Sequence, residues 1–283
     1  MTILVFGSTG QVSTELAALP DTVCLGRDIA DLTDPNACAQ AIRTHAPDAV
    51  VNAAAYTAVD RAESEEALAT TINGHAPTAM ADACFELGIP IVHISTDYVF
   101  NGTGTKPWAP QDATDPLGAY GRSKLIGEIG VHDSGATHAI LRTSWVFSAH
   151  GGNFVKTMLR LGAERDGLTV VADQIGGPTP ARDIAKACHN IATKLISNRG
   201  AAGTYHFSGD PDCSWADFAR AIFEVANVDC AVTDIPTSSY PTPAARPANS
   251  RMNCTSLTDT FGIKRPDWRA GLIDTIKELE ATS

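Results

Sequence analysis

Ile3-Leu4-Val5-Phe6-Gly7-Ser8-Thr9-Gly10-Gln11-Val12-Ser13 opens the chain with a four-residue apolar run that breaks into a G-x-x-G-x-x-S turn. The run reads as a buried parallel strand, and Gln11 to Leu19 behind the turn has helical length. Gly7 and Gly10 let the backbone turn tightly and approach a pyrophosphate, whose charge then meets free amides at the amino end of the helix. Ser13 stands where the usual fingerprint has its third glycine, the residue that permits close packing of helix on strand. A glycine turn after a strand can be purely structural. Its position at residue 7, opening a βαβ unit, favours dinucleotide binding.

Outward from this turn, apolar runs alternate with helix-length segments, the pattern of a parallel sheet covered on both faces. Further strands are expected at Val23 to Leu25, Ala49 to Ala53, Ile91 to Ser95 and His138 to Thr143. The helical segments between them are Pro35 to His45, Ser64 to Leu87 with a break near Gly74, and Tyr120 to His132. The fold class is therefore α/β, a Rossmann-type doubly wound sheet. Right-handed crossovers gather the carboxyl ends of its strands on one edge, where ligands bind. From about Asn153 the pattern loosens: helices at Asn153 to Arg165, Ala181 to Leu195, Trp215 to Ala226 and Arg269 to Leu279 flank short strands such as Val170 to Ala172 and Tyr205 to Phe207. Four prolines within Pro236 to Pro247 exclude a regular element and predict an ordered, wrapping loop. We divide the chain into a dinucleotide-binding domain, residues 1–150, and a smaller, mainly substrate-binding lobe, residues 151–283, with some return of chain to the first domain.

Composition narrows the class. In 283 residues, 44% hydrophobic and 19% charged side chains exclude a disordered chain, and no stretch approaches the 18 apolar residues of a membrane span. Twenty-one basic against 32 acidic residues give a net charge of −11, which argues against nucleic acid or an anionic membrane surface as partner. Seven scattered cysteines without a CxxC read as free thiols, and the histidines show no zinc spacing, so no metal is expected there. With no signal-peptide pattern, a cytoplasmic protein is expected.

After the second strand the chain carries Gly26-Arg27-Asp28. Arg27 can face the 2′-phosphate of NADPH, unless it is simply solvated or Asp28 binds ribose hydroxyls in its stead, so the cofactor is read as NADPH or NADH. Asp31-Leu32 could bracket an adenine, and Ala53-Ala54-Ala55 after the third strand is small enough to let a cofactor pass. Of the five tyrosines, Tyr120 alone has a lysine four residues on, Lys124, one helical turn away on the same face. An ammonium there would lower the phenol's pKa and make it usable as a general acid and base. Upstream, Ser95-Thr96-Asp97 places hydroxyls at the sheet's carboxyl edge, where Thr96 and Tyr120 could polarise a carbonyl as hydride reaches its carbon.

Gly7 to Gly10, Asn52 to Ala55, Ser95 to Phe100 and Tyr120 to Lys124 resemble the extended short-chain dehydrogenase/reductases. Thr57 to Asp60, Arg142 to Val146, Asp173-Gln174 with Gly177 to Thr179, and Arg246 to Arg251 narrow the likeness to the dTDP-4-dehydrorhamnose reductase family over nearly the whole chain. This resemblance implies NAD(P)H-dependent reduction of the C4 ketone of dTDP-4-dehydro-β-L-rhamnose to dTDP-β-L-rhamnose, in the supply of a sugar donor for cell-surface polysaccharide. It further implies Thr96, Tyr120 and Lys124 as catalytic residues. Gly10, Gln11, Val12, Asp31, Leu32, Ala54, Ala55, Tyr56, Tyr120 and Lys124 match cofactor contacts, and Thr96, Asp97 and Trp145 match substrate contacts. Trp145 would give a sugar a flat apolar wall with one donor, or it is an ordinary core tryptophan. Arg246 and Arg251 could hold the nucleotide diphosphate or pair with carboxylates at the lobe interface.

Some members of the family form a magnesium-linked homodimer through glutamates. Glu15 and Glu278 fall in matching places, but the third position holds Arg182, so no such magnesium site is expected and a homodimer is left open. Two other readings remain: a nucleotide-sugar epimerase or dehydratase on the same scaffold, and a non-catalytic regulatory subunit similar to the β subunit of methionine adenosyltransferase.

Overall fold

The computed structural model describes residues 1–282. In chain order, β1 (Ile3–Phe6), α1 (Gln11–Ala17), β2 (Thr22–Leu25), α2 (Pro35–His45) and β3 (Ala49–Asn52) build the first winding. Two short helices, α3 (Val59–Ala62) and α4 (Glu66–Thr70), lead through a π-turn into α5 (Ala76–Leu87), then β4 (Ile91–Thr96), a 3₁₀ turn at Asp97–Val99, α6 (Ala119–Asp133) and β5 (His138–Thr143). The rest comprises β6 (Val146–Phe147), α7 (Phe154–Glu164), β7 (Gly167–Val171), β8 (Ile175–Gly176), β9 (Thr179–Pro180), α8 (Ala181–Ser197), β10 (Gly203–His206), β11 (Cys213–Ser214), α9 (Trp215–Val225), β12 (Ala231–Ile235), β13 (Asn249–Ser250), α10 (Thr255–Phe261) and α11 (Trp268–Thr282).

The central sheet is parallel throughout, in the order β10-β5-β4-β3-β1-β2, so the strand order reverses between β1 and β3. Its central strands are apolar and buried on both sides, as the doubly wound reading requires. α1 and α8 cover one face, with Leu16, Ile184 and Ile191 fully buried. α2 and α5 cover the other, around Ile42 and Met80. Local signals fix the ends. Asp34 caps α2 by accepting from the amides of Asn36 and Ala37, Pro35 starts the helix, and Ser214 with Asp217 forms a capping box on α9.

The expected break near Gly74 is a correction. The π-turn Thr71–His75 carries the chain from α4 into α5 without interruption. One extra residue per turn lets Gly74 pass α6, where a Cβ would stand 2.8 Å from Ile126. α6 itself lies against backbone: at Gly121 a Cβ would meet the Tyr98 carbonyl oxygen at 2.2 Å, and at Gly127 the Asn73 oxygen at 2.1 Å. Only glycine allows this approach, and it sets Tyr120 and Lys124 close to the end of β4.

The carboxyl half divides its allegiance. α8 and β10 join the central sheet, whereas α7, α9 and α11 pack with β7 and β12 around a separate cluster that includes Phe218, Ile222 and Trp268. The segment rich in proline is irregular apart from a 3₁₀ turn at Thr237–Ser239. Thr237 donates to Asp173 at 2.6 Å and the Ala244 amide to Asp60 at 3.1 Å, which ties the loop across both halves.

Candidate active site

A cleft of 780 Å³ opens at the carboxyl ends of β1, β3, β4 and β5. It brings together Gly7, Gly10, Gln11, Val12, Arg27, Asp31, Leu32, Ala54, Ala55, Tyr56, Thr96, Asp97, Tyr120, Lys124 and Trp145, all of which line it. Asp28 is not among the lining residues, whereas Arg27 stands exposed on the rim.

On one wall, Gly7 adopts φ +112°, a conformation that side-chain-bearing residues rarely take. Ser13 fits the third-glycine place because its hydroxyl turns back to donate to the Gly10 carbonyl at 3.0 Å. No side chain caps α1 and no acid lies in its first turn, so its leading amides remain free for an anion. Gln11 is held from the far side: its Oε1 accepts from Ser148 Oγ and Asn153 Nδ2, both at 2.9 Å. Tyr56 is clamped through its backbone by Asn73, which accepts from its amide at 2.8 Å and donates to its carbonyl at 3.0 Å.

The opposite wall carries the buried titratable groups. Thr96 Oγ1 donates to Asp97 Oδ1 at 3.1 Å and accepts from the Tyr98 amide at 3.2 Å. Burial raises the Asp97 carboxyl to about 6, opposed by the hydroxyls of Ser250 and Thr96. Burial also pushes the Tyr120 phenol up to about 12, opposed by the Thr96 hydroxyl, and lowers Lys124 to about 8, opposed by Glu128. The expected depression of the phenol by a neighbouring ammonium is therefore corrected. Desolvation is the largest cause, Asp97 raises the phenol further, and the phenol keeps its proton at neutral pH, the form a donor needs. The buried hydroxyls of Ser95 and Thr143, both on the cleft, have no hydrogen-bond partner among the described residues. Unpaired polar atoms beside glycine backbone and free helix amides fit a polar, phosphate-bearing dinucleotide.

Trp145 borders the cleft with φ +50° and stacks on Trp215, with ring centroids 3.6 Å apart. It is thus half-buried, one side packed and one side on the cavity. Arg246 reaches Asp60 at 2.8 Å and Arg251 reaches Asn249 at 3.1 Å; neither borders the cleft. Elsewhere, His150 Nε2 lies 3.6 Å from Glu15 and 3.5 Å from Glu278, and these three form a group able to hold a metal ion. Arg182, beside them, pairs with Asp274.

Sequence reasoning missed His93 and the role of Asn52. His93 is fully buried in β4, with Asn52 on one side and Lys124 Nζ on the other, at 3.1 and 3.2 Å. The signal was available: a single imidazole inside the apolar run Ile91-Val92-His93-Ile94 must find a partner.

A glycine-turn cleft and a half-buried tyrosine and buried lysine one helical turn apart, on a six-stranded parallel sheet, define a Rossmann-type reductase of the extended short-chain dehydrogenase/reductase kind. Comparison with known proteins is narrower. The family described as "RmlD substrate binding domain" matches residues 1–281. A dTDP-4-dehydrorhamnose reductase of Sinorhizobium fredii is 47% identical, over 95% of this chain and 94% of that protein. Two solved structures agree. A dTDP-4-dehydrorhamnose reductase of Clostridium acetobutylicum has a TM-score of 0.91 at 36% identity, covering 99% of this chain and 100% of that one. One from Bacillus anthracis, in complex with NADP, has a TM-score of 0.90 at 35% identity, covering 98% and 100%. The chain belongs to the dTDP-4-dehydrorhamnose reductase family.

Proposed function

We propose that this chain reduces the C4 ketone of dTDP-4-dehydro-β-L-rhamnose to dTDP-β-L-rhamnose, with NADPH as reductant and Tyr120 as proton donor. Bound NADPH supplies a hydride to the ketone carbon. The observation that carries this reading is the continuity of one cleft from Gly7 to Tyr120. The amides at the start of α1 and Arg27 hold the cofactor's phosphates, Asp31 and Leu32 receive the adenosine end, and Ala54, Ala55 and Tyr56 form the passage towards Lys124. Thr96 and Tyr120 hydrogen-bond the ketone oxygen, and the phenol gives up its proton as charge develops there. Asp97 and Trp145 hold the sugar. The protein acts in the cytoplasm on a dTDP-sugar, as a monomer or homodimer, and its chemistry uses no metal.

The test follows absorbance of NADPH, and separately of NADH, with dTDP-4-dehydrorhamnose. Wild type should consume NADPH one for one with product, and Tyr120→Phe should lose at least roughly a hundredfold in rate, the scale of general acid catalysis. Equal rates for the two proteins would remove Tyr120 as donor. Turnover without net consumption of cofactor would point to an epimerase or dehydratase, and no turnover by wild type to a regulatory subunit.

A further inference from the structure

Behind Lys124 runs a closed chain of hydrogen bonds with a fixed starting point. The Ala54 backbone amide donates to Asn52 Oδ1 at 3.2 Å, and a backbone N–H can only donate. It therefore decides which way the Asn52 amide is turned: oxygen to Ala54, nitrogen to His93 Nδ1, at 3.1 Å. That NH₂ group is a donor, so Nδ1 must supply a lone pair. A neutral imidazole then carries its hydrogen on Nε2, which faces Lys124 Nζ at 3.2 Å. An ammonium has no lone pair to accept it, whereas an amine has one and still donates to the Ile94 carbonyl oxygen at 2.7 Å.

We propose that Asn52 and His93 act as positioning residues that select the neutral amine of Lys124 in the cofactor-free enzyme. With Lys124 charged, one link of the chain becomes donor against donor: His93 against Lys124, His93 against Asn52, or Asn52 against Ala54. Asn52, His93 and Lys124 are each at least 98% buried, so solvent does not relieve a conflict at His93, whereas the half-buried Ala54 amide at the other end of the chain lies on the cleft. Burial keeps the His93 ring neutral, which holds the parity of donors fixed, and the lowered pKa of Lys124 is in the same sense. The other charged groups do not reverse it. Glu128, along α6, favours the ammonium but its carboxylate is taken by Arg142 of β5 at 2.6 Å. Asp97 and Tyr120 share the cleft. On the 66–75 segment Glu66 is held by Arg122 and His75 is exposed; on α5, Asp82 is exposed and Glu86 is held by Arg43.

The inference rests on the assignment of Lys124 to the catalytic site, but its test does not need turnover. Proton–nitrogen NMR on the cofactor-free protein, with histidine and lysine side chains labelled, reads the His93 tautomer directly; His93→Gln identifies the signal. The hydrogen should be on Nε2, with Nδ1 bare. In Asn52→Asp a carboxylate accepts from both Ala54 and an Nδ1–H, so the hydrogen should move to Nδ1. Lys124 should then titrate about one pKa unit higher, the scale of one regained hydrogen bond, and the alkaline limb of the pH–rate profile should follow. An Nδ1–H tautomer in wild type overturns the proposal, as does an Asn52→Asp protein whose tautomer is unchanged. A wild type that shows Nε2–H yet never consumes NADPH sinks the reductase reading and supports this one.

Discussion

The wall of the cleft from Gly7 to Ser13 has no ionisable side chain, whereas the wall from β4 and α6 presents buried Asp97 and Lys124 and half-buried Tyr120, each displaced from its ordinary pKa. The first works through backbone: a left-handed glycine, uncapped amides, and the absence of a Cβ. The second works through burial, and its properties depend on neighbours such as Glu128, Arg142 and His93 that lie off the cleft. Substitutions on the two walls should therefore fail differently, one in cofactor affinity with the fold kept, the other in stability and pH response.

The largest effect is expected behind the titratable wall. Arg142 meets Glu128 in a two-pronged pair at 2.9 and 2.6 Å, with both side chains almost wholly buried. Glu128→Ala leaves a buried guanidinium with only the neutral partners Pro110 carbonyl oxygen and His206 Nε2, at 3.0 and 3.4 Å, and should cost about 3–5 kcal/mol in urea unfolding. Glu128→Leu with Arg142→Met, which removes both charges, should recover most of that loss. If Glu128→Ala were nearly neutral, the second wall would not depend on hidden partners, and the contrast with the first would fail.

On the backbone wall, Gly7→Ala adds one methyl group to a residue at φ +112°, with its Cβ 3.3 Å from Ser13. A strained residue of this kind costs about 1–3 kcal/mol. The loop should relax away from the conformation that meets the pyrophosphate. Titration with NADPH should show affinity weakened roughly tenfold or more, while kcat at saturating cofactor stays close to wild type.

Acid should separate the walls as well. His206 is lowered to about 3 by burial, then by Arg142, and His93 is lowered chiefly by burial. Both rings are neutral in the fold, so the unfolded chain takes up two more protons below its own pKa near 6.5, and stability falls as pH falls from there. Asp97, raised to about 6, works the other way, because the fold holds its proton between about 6 and 4 while the unfolded chain does not. Among these three groups the net difference is one proton, a contribution of about 1.4 kcal/mol per pH unit over that window. Denaturation at pH 6 and pH 4 should show it, and His206→Gln should flatten it. A slope unchanged in His206→Gln would mean that this ring is not the neutral group.

The same contrast explains what could be read without coordinates. Turn spacing, four-residue strands and the Tyr120/Lys124 interval are local, so the doubly wound fold and the candidate site were legible residue by residue. The direction of the Tyr120 shift was not, because it depends on desolvation by elements distant in sequence. The π-turn escaped for a related reason: the helical pattern on either side of Gly74 is continuous, and only the approach of α6 at Ile126 shows why a residue is inserted. β6 and, in the lobe, β8, β9, β11 and β13 have two residues each, too few for any alternation to register.

Arg27 gives the smallest and most selective test. It is exposed on the rim of the backbone wall, so solvent weakens any charge interaction it makes. A guanidinium hydrogen-bonded to a 2′-phosphate should still favour NADPH, because NADH offers a hydroxyl where NADPH offers two negative charges. Arg27→Ala should weaken NADPH by roughly tenfold, about 1.4 kcal/mol and at the low end for a charged hydrogen bond, and leave NADH nearly unchanged. The ratio of kcat/KM for the two cofactors, measured at two salt concentrations, checks both parts: preference for NADPH should shrink in the variant, and in wild type it should shrink with salt. If both cofactors weaken equally, Arg27 supports the loop rather than reading the phosphate. Selectivity on this wall would then lie in backbone shape alone.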